Sequence, residues 1–290
     1  MSPPVLSIVI PARNAAATLD QQLLAISAQV REGQVEVIVA DNGSDDATRS
    51  VAESFRERLD LRVIDASGRP GAAHARNAGA RVARGRYLAF VDADDQIAPG
   101  YVAAVERALD EHAFVACRYD TESLNPPAVA GTLGHAQRDG LMTYDYPPFL
   151  PHAGGGGLAI RLEHHQAIGG FDESYPALED TDYCWRLQLA GVPLTFVKNA
   201  VVRIRLKAGA AALLRQGVHF GRYNVRIYRC YRDRGMPYLG PLPGLLRWLK
   251  LLARLPFAMW RASDRARWLW QLGWRWGRVR GCFAEGVLAL

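Results

Sequence analysis

Cysteine is sparse in this chain. The four present, Cys117, Cys184, Cys230 and Cys282, stand far apart and form no C-x-x-C pair. Neither a zinc knuckle nor a disulfide framework is indicated, and a reducing compartment suits such a chain. Long apolar runs are missing as well. No stretch of about 18 uncharged apolar residues occurs, so no membrane span is expected. The opening "MSPPVLSIVIP" has neither the basic leader nor the long apolar core of a secretory signal. Two nucleotide-binding signatures are also absent. No G-x-G-x-x-G follows the first apolar run, which disfavours a dinucleotide fold, and no G-x-x-x-x-G-K-[ST] occurs, which excludes a P-loop.

What is present is enough for a core. The 290 residues are 49% hydrophobic, which fits one large domain or a domain with an appendage. Charge is divided unevenly. The net charge of +6 combines a segment 203–290 with 18 Lys and Arg against 3 Asp and Glu, and a segment 1–202 with 17 against 26. Six of the seven tryptophans lie beyond residue 247. The composition therefore shifts near residue 203.

The first hundred residues alternate between two periods. "VLSIVIPA" (5–12), "VEVIVAD" (35–41), "LRVIDA" (61–66) and the run inside "RYLAFVDADD" read as buried strands. Helical spacing over 15–30, a helix over 46–58 capped by Ser44 or Asp45, and an Ala-rich helix after "GRPG" lie between them. Strands alternating with helices imply a parallel α/β sheet, and ligands of such sheets bind at the carboxyl ends of the strands. Polar residues fall at those ends: Arg13 and Asn14 after the first strand, Asp41 at the end of the second, Asp92 and Asp94 after the fourth. Three carboxylates within "DADD" repel one another unless a cation sits among them. A hard divalent ion, Mg²⁺ or Mn²⁺, bridging to a diphosphate would relieve that crowding with few protein contacts.

Four segments in order, "SIVIPARN", "VIVADNGSDDAT", "GAAHARNAGARVARGRYLAFVDADD" and "GGFDESYPALEDTDYCWRLQLAG", resemble the inverting family 2 glycosyltransferases of the GT-A fold. The resemblance covers roughly residues 5–230. It implies a Rossmann-like, mostly parallel sheet flanked by helices, with a C-terminal helical extension. It also implies roles. Asp41 would accept hydrogen bonds from the nucleobase, Pro11 and Asn14 would line the first nucleotide loop, and Arg76 would lie near base and diphosphate. Asp92 would sit near the ribose and Asp94 would ligate a divalent metal. Asp180, with Glu179 beside it, would be the general base. The implied organisation is a catalytic domain over 1–230, with a nucleotide half (1–100) and an acceptor half (101–230), and an extension over 231–290. The donor would be a nucleoside-diphosphate sugar, UDP first among them. The acceptor would be a hydroxyl of a lipid-linked or cell-envelope glycan, receiving a single addition.

Neighbouring residues have plainer readings. Asp95 suits a cap on the next helix, Asp172 a turn, and Asp182 an i,i+4 pair with Arg186. His74, His164, His165 and His219 have no metal-ligand spacing. The glycines of "PHAGGGGLAIRLEHH" (151–165) suit backbone that approaches a ligand closely or moves. "AVVRIRLKAG" lacks the histidine that some GT-A enzymes add as a metal ligand, and Arg203 or Arg205 stands there for diphosphate contact. No Q-x-x-R-W motif occurs, which disfavours a processive synthase.

On a helical wheel of 245–261, Arg247, Lys250, Arg254 and Arg261 share one side. Leu245, Trp248, Leu249, Leu252, Leu255 and Met259 share the other. With the Trp and Arg mixture of the following segment, this is the composition of a helix in a membrane interface. The expected location is cytoplasmic and peripheral at the inner membrane face, with contact through 245–280 and no nucleic-acid partner. Packing on the catalytic domain or on a second subunit is the alternative for these helices. Two other classes remain beside the transferase: a nucleotidyltransferase of similar fold, and a non-catalytic membrane-associated module.

Overall fold

The computed structural model describes residues 4–30, 33–130, 137–144, 148–207, 209–258 and 260–289. Its strands are β1 (Leu6–Ala12), β2 (Val35–Asp41), β3 (Asp60–Asp65), β4 (Tyr87–Phe90), β5 (Gln96–Ile97), β6 (Phe114–Asp120), β7 (Leu158–Arg161) and β8 (Leu194–Arg203). The helices of the first part are α1 (Leu19–Ser27), α2 (Thr48–Glu53), α3 (Ala72–Val82) and α4 (Tyr101–Glu111). Then come α5 (Pro127–Ala130), α6 (Leu162–Ala167) and α7 (Glu179–Leu189). Beyond β8 lie α8 (Ala210–Tyr231), α9 (Pro241–Ala253), α10 (Leu255–Ala258) and α11 (Ala262–Glu285).

The strands form one sheet in the order β3-β2-β1-β4-β7-β6-β8-β5. β3, β2, β1 and β4 run parallel, as the alternating pattern predicts. β7 is antiparallel to both β4 and β6, so the second half of the sheet is mixed. β2 is buried along its whole length, and β1 at all but Pro11. That suits strands covered on both faces. Pro11 lacks a ladder donor. It is tolerated because pairing with β4 ends at Val9–Phe90, leaving no neighbour on that side.

Two expectations are corrected. The helix expected over 46–58 is the shorter α2, and its first turn is tied by Asp46, whose carboxylate accepts the Thr48 N–H at 2.9 Å, not by Ser44 or Asp45. Asp95 caps no helix. α4 starts after Gly100 in the left-handed region, and the Asp95 carboxylate accepts the backbone N–H of Arg205 at 2.8 Å. The turn and pair readings hold: Asp172 accepts the Ser174 N–H, and Asp182 pairs with Arg186 at 2.7 Å.

Contacts divide the chain into two units. The first comprises Met1–Ser123, His135–Met142 and Pro151–Arg205 and holds the sheet. Beneath its β4–β7 region, Phe171 stacks on Tyr183 at 4.0 Å and meets Phe90 edge-on at 5.1 Å. The second unit comprises Leu124–Gly134, Thr143–Leu150 and Leu206–Leu290. It parts from the first close to the compositional shift, and residue 230 falls within it. In it α8 and α11 cross with backbones nearly touching. A β-carbon on Gly221 would lie 2.0 Å from the Trp274 carbonyl oxygen, and one on Gly277 would lie 2.2 Å from that of Val218. Only glycine fits such a crossing.

Candidate active site

The site grows from the carboxyl ends of β1, β2 and β4. After β1 the chain turns through Asn14, whose φ of 51° is one that asparagine tolerates better than most residues. Asn14 is held from both sides: its N–H donates to Ser44 Oγ and its Oδ1 accepts from the Asp45 N–H, each at 3.0 Å. Asp41 ends β2 and accepts the Ser44 N–H at 3.0 Å. Asn42, the next residue, donates to the Arg69 carbonyl and accepts the Gly71 N–H, both at 2.8 Å. The loops after three successive strands are thereby joined just where α3 begins.

α3 carries Arg76, which is 3% exposed. Its guanidinium donates to Asp92 Oδ1 at 2.8 Å and to Glu179 Oε1 at 2.9 Å, and lies over the Phe171 ring. Burial works to lower its pKa, but Asp92 and Glu179 reverse this and raise it, so the group is a permanent cation. Its Nε is buried without a hydrogen-bond partner. Arg76 thus ties the end of β4 to the start of α7, where Glu179 stands 103 residues after Arg76 itself.

Gly154–Gly157 closes the floor. A β-carbon on Gly155 would stand 2.8 Å from the Arg76 guanidinium, and one on Gly156 would stand 2.6 Å from Asp92 Oδ2. The Gly-dense stretch does place backbone in close approach, here against side chains of the site. The Gly155 N–H also donates to Asp180 Oδ2 at 3.1 Å, while the Thr181 N–H donates to Oδ1 at 2.7 Å. Just before the carboxylate pair, Leu178 adopts φ 63°, ψ 22°. A left-handed leucine stores roughly 1–2 kcal/mol of strain, and such strain gathers at functional sites.

Two carboxylates here are held above their ordinary range. Burial, with Glu179 adding to it, pushes Asp180 up to about 7, against the lowering effect of Arg76. Burial, then Asp92 and Asp94, pushes Asp95 up to about 9. The rim has more negative charge than its own arginines neutralise. A cleft of about 660 Å³ opens over this rim. Pro11, Asn14, Arg76, Asp92, Asp94 and Glu179 line it, so six of the eight expected residues meet there. Asp41 and Asp180 do not line it: Asp41 adjoins the lining residue Asn42, and Asp180 adjoins Glu179. Arg205 lines it and donates from Nε to the Asp94 carbonyl at 3.1 Å, whereas Arg203 donates to Gln96 instead.

Other contributors were not expected. Gln22 on α1 is fully buried, donates to the Asp92 carbonyl at 3.2 Å and accepts the Ile97 N–H at 2.9 Å. Thr18 donates to the Ala93 carbonyl at 3.1 Å. Asn42 had a signal, since it directly follows β2. Gln22 and Thr18 had none, because their partners lie 70 or more residues away. A second cleft of about 810 Å³, lined by Arg81, Gln166 and Phe171 among others, contains none of the expected residues.

A divalent cation fits this donor set. Among the described residues no three His, Cys, Asp or Glu gather as a metal cage. Asp94 is exposed on the cleft wall and Asp92 Oδ1 is engaged by Arg76. One carboxylate, with phosphate oxygens and waters completing the shell, is the usual arrangement for Mg²⁺ or Mn²⁺ on a diphosphate. The crowding of Asp92 and Asp94 beside Asp95, which adds to burial in keeping Asp95 protonated near neutral pH, is what such an ion relieves.

Residues 7–153 match the model of "Glycosyl transferase family 2". The validoxylamine A glucosyltransferase of Streptomyces hygroscopicus subsp. jinggangensis is 30% identical over 234 residues, covering 68% of this chain and 54% of that protein. The chain therefore belongs to glycosyltransferase family 2, and it spans about half the length of the curated relatives it matches. Its fold is that of the GT-A enzymes. The Pyrobaculum calidifontis mannosyltransferase PcManGT, in complex with GDP-Man and Mn²⁺, aligns with a TM-score of 0.62 at 21% identity, covering 99% of this chain and 76% of that one. S. aureus TarS 1–349 in complex with UDP-GlcNAc aligns with a TM-score of 0.54 at 17% identity, covering 99% and 93%.

Proposed function

We propose that the chain is an inverting, metal-dependent glycosyltransferase that moves one sugar from a nucleoside-diphosphate donor to an acceptor hydroxyl. UDP is the first candidate nucleotide, and the acceptor is a lipid-linked or cell-envelope glycan met at the cytoplasmic membrane face. The observation that carries this reading is the Arg76 bridge, which ties a donor-side carboxylate, Asp92, to the acidic pair Glu179–Asp180.

In this reading Asp41, with Asn42 and Asn14 beside it, receives the base edge, and Asp92 receives the ribose. Asp94 holds the cation, which neutralises charge on the departing diphosphate when bound. Arg76 keeps Glu179 and Asp92 in register. Asp180 accepts the proton of the acceptor hydroxyl as that oxygen attacks the anomeric carbon and the bond to the diphosphate breaks on the opposite face. A base raised to about 7 is well matched to this task. A nucleotidyltransferase attacks phosphorus and has no use for an acceptor base at this place, so the Glu179–Asp180 pair favours the transferase.

The test is calorimetry of UDP, dTDP, GDP and CDP with and without Mn²⁺, on the wild type and on Asp94→Ala. Metal-dependent binding of one nucleotide, lost in the variant, supports the reading. A folded protein that binds none of them overturns it in favour of the non-catalytic module.

A further inference from the structure

α9 leaves its leucine face exposed. Its inner side is seated on α11: Leu251 is buried, and Trp268 Nε1 donates to the Leu251 carbonyl at 2.9 Å. On the opposite side Leu242, Leu245, Leu249 and Leu252 form one stripe at helical spacing, each more than half exposed. Phe257 and Trp260 continue it past the end of α9 and are more exposed still. Met259 lies outside the described residues. Apolar surface in such a continuous stripe marks an interaction face.

Cations lie on the other side of α9 from that stripe. Arg247 and Lys250 on the helix and Arg254 at its C-cap recur at i, i+3 and i+7. Arg275 reaches in from α11. It is half-buried, and its Nε is buried with no hydrogen-bond partner. Burial first, then Arg247 and Arg254, lower its pKa, so the three guanidinium groups stand close enough to repel. Arg254 and Arg267 line a cleft of about 420 Å³ with Phe257, Trp268 and Asp264, the one acidic residue between 245 and 280 against nine Lys and Arg. Like charges gathered at this density call for an anion.

We infer that the α9–α11 hairpin docks on an acidic lipid surface. The leucine stripe enters the headgroup region, and Arg247, Arg254 and Arg275 receive lipid phosphates. This rests on the membrane-face reading above and adds the surface, the residues and the headgroup charge. Charge complementarity selects the occupant. A second copy laid on the same stripe would bring two strongly basic helices together, which opposes self-association. Nucleic acid has no use for a leucine stripe, and Trp270 and Trp274 are stacked on each other at 5.3 Å, not held apart for bases. No helix among the described residues is long and apolar enough to cross a membrane, so the hairpin would lie in the interface.

The test is flotation of the full chain with vesicles of phosphatidylcholine alone, and with vesicles one third phosphatidylglycerol, at low and high salt. Tighter binding to the acidic vesicles, weakened by salt, is expected. Arg247→Gln and Arg254→Gln should each cost about fivefold there, at about 1 kcal/mol per cation. Their nucleotide binding should be unchanged. Leu245→Asp with Leu249→Asp should abolish flotation; both positions are exposed, so the fold survives. Equal binding to both vesicle types, or glutamine variants with wild-type selectivity, overturns the inference while leaving membrane association standing. No flotation with any vesicle by a protein that still binds nucleotide overturns the membrane-face reading itself. A concentration-dependent dimer dissolved by Leu249→Asp, without flotation, identifies the stripe as a self-association face and overturns it too.

Discussion

A single buried carboxylate and a cluster of carboxylates sit at opposite ends of the sheet and behave in opposite ways. Near the start of β2, Glu36 is fully buried. Its Oε1 accepts from Ser7 Oγ at 2.6 Å and from the Arg84 N–H, and its Oε2 from Arg62 at 2.6 Å and Arg84 Nε at 2.9 Å. Burial alone would raise its pKa, but these donors outweigh that and hold it below the usual range. At the other end, burial first and neighbouring carboxylates second raise Asp95 and Asp180, because fewer donors face them than face Glu36. Burial is common to both ends, and the number of donors aimed at each carboxylate differs. A satisfied buried acid holds the sheet together. An under-neutralised cluster stores unfavourable charge that a cation and a substrate can relieve.

Substitutions at the two ends should separate these roles. Asp180→Asn should lower transfer about a thousandfold with the fold retained, read by initial rates beside circular dichroism. Glu36→Gln should do the reverse. It strips charge from a buried, hydrogen-bonded group and should cost about 2–3 kcal/mol in urea unfolding, while turnover per folded molecule is unchanged. Gly156→Ala would press a methyl group on Asp92 and should cost about tenfold in transfer, with a small change in melting temperature.

pH gives the smallest and sharpest separation. Transfer should rise with pH through about 7, as Asp180 loses its proton, and this limb should vanish in Asp180→Asn. Stability should follow opposite signs. The Glu36 pKa is lowered on folding, so its contribution is present above about 4.5 and lost as pH falls through its folded value. The Asp180 pKa is raised from 3.8 to about 7, so its contribution is present below about 3.8 and lost as pH rises through about 7. Melting curves from pH 4 to 8 should therefore show Asp180→Asn gaining on the wild type toward pH 8. A variant that only follows the wild type at every pH would remove the contrast between the two ends.

Residues next to strand ends were legible because their neighbours in sequence are their neighbours in space. Asn14, Asp41, Asp92 and Asp94 each follow a short β-branched or aromatic run, and a parallel sheet brings such ends to one rim. Arg76 was legible as a basic residue of the site, but not as a bridge, since Glu179 stands 103 positions away. Asp95 was misread as a cap because its acceptor role depends on the arrival of the Arg205 backbone after β8. Glu36 passed unnoticed inside an apolar run, because only the folded sheet brings Ser7, Arg62 and Arg84 around it. On α9 the wheel separated leucines from arginines correctly. Which side would face α11 was beyond it.

The linear pattern alone determined the alternation of strands and helices, the polar strand ends and the basic, tryptophan-rich C-terminal segment, since each depends on residues within one or two turns of one another. The tertiary structure decided which carboxylates are neutralised and which are left crowded. It also decided that Gly154–Gly157 presses on Asp92 and Arg76, and that the leucine stripe of α9 faces outward. Those outcomes depend on distances between residues far apart in the chain, and on burial, which strengthens every uncompensated charge.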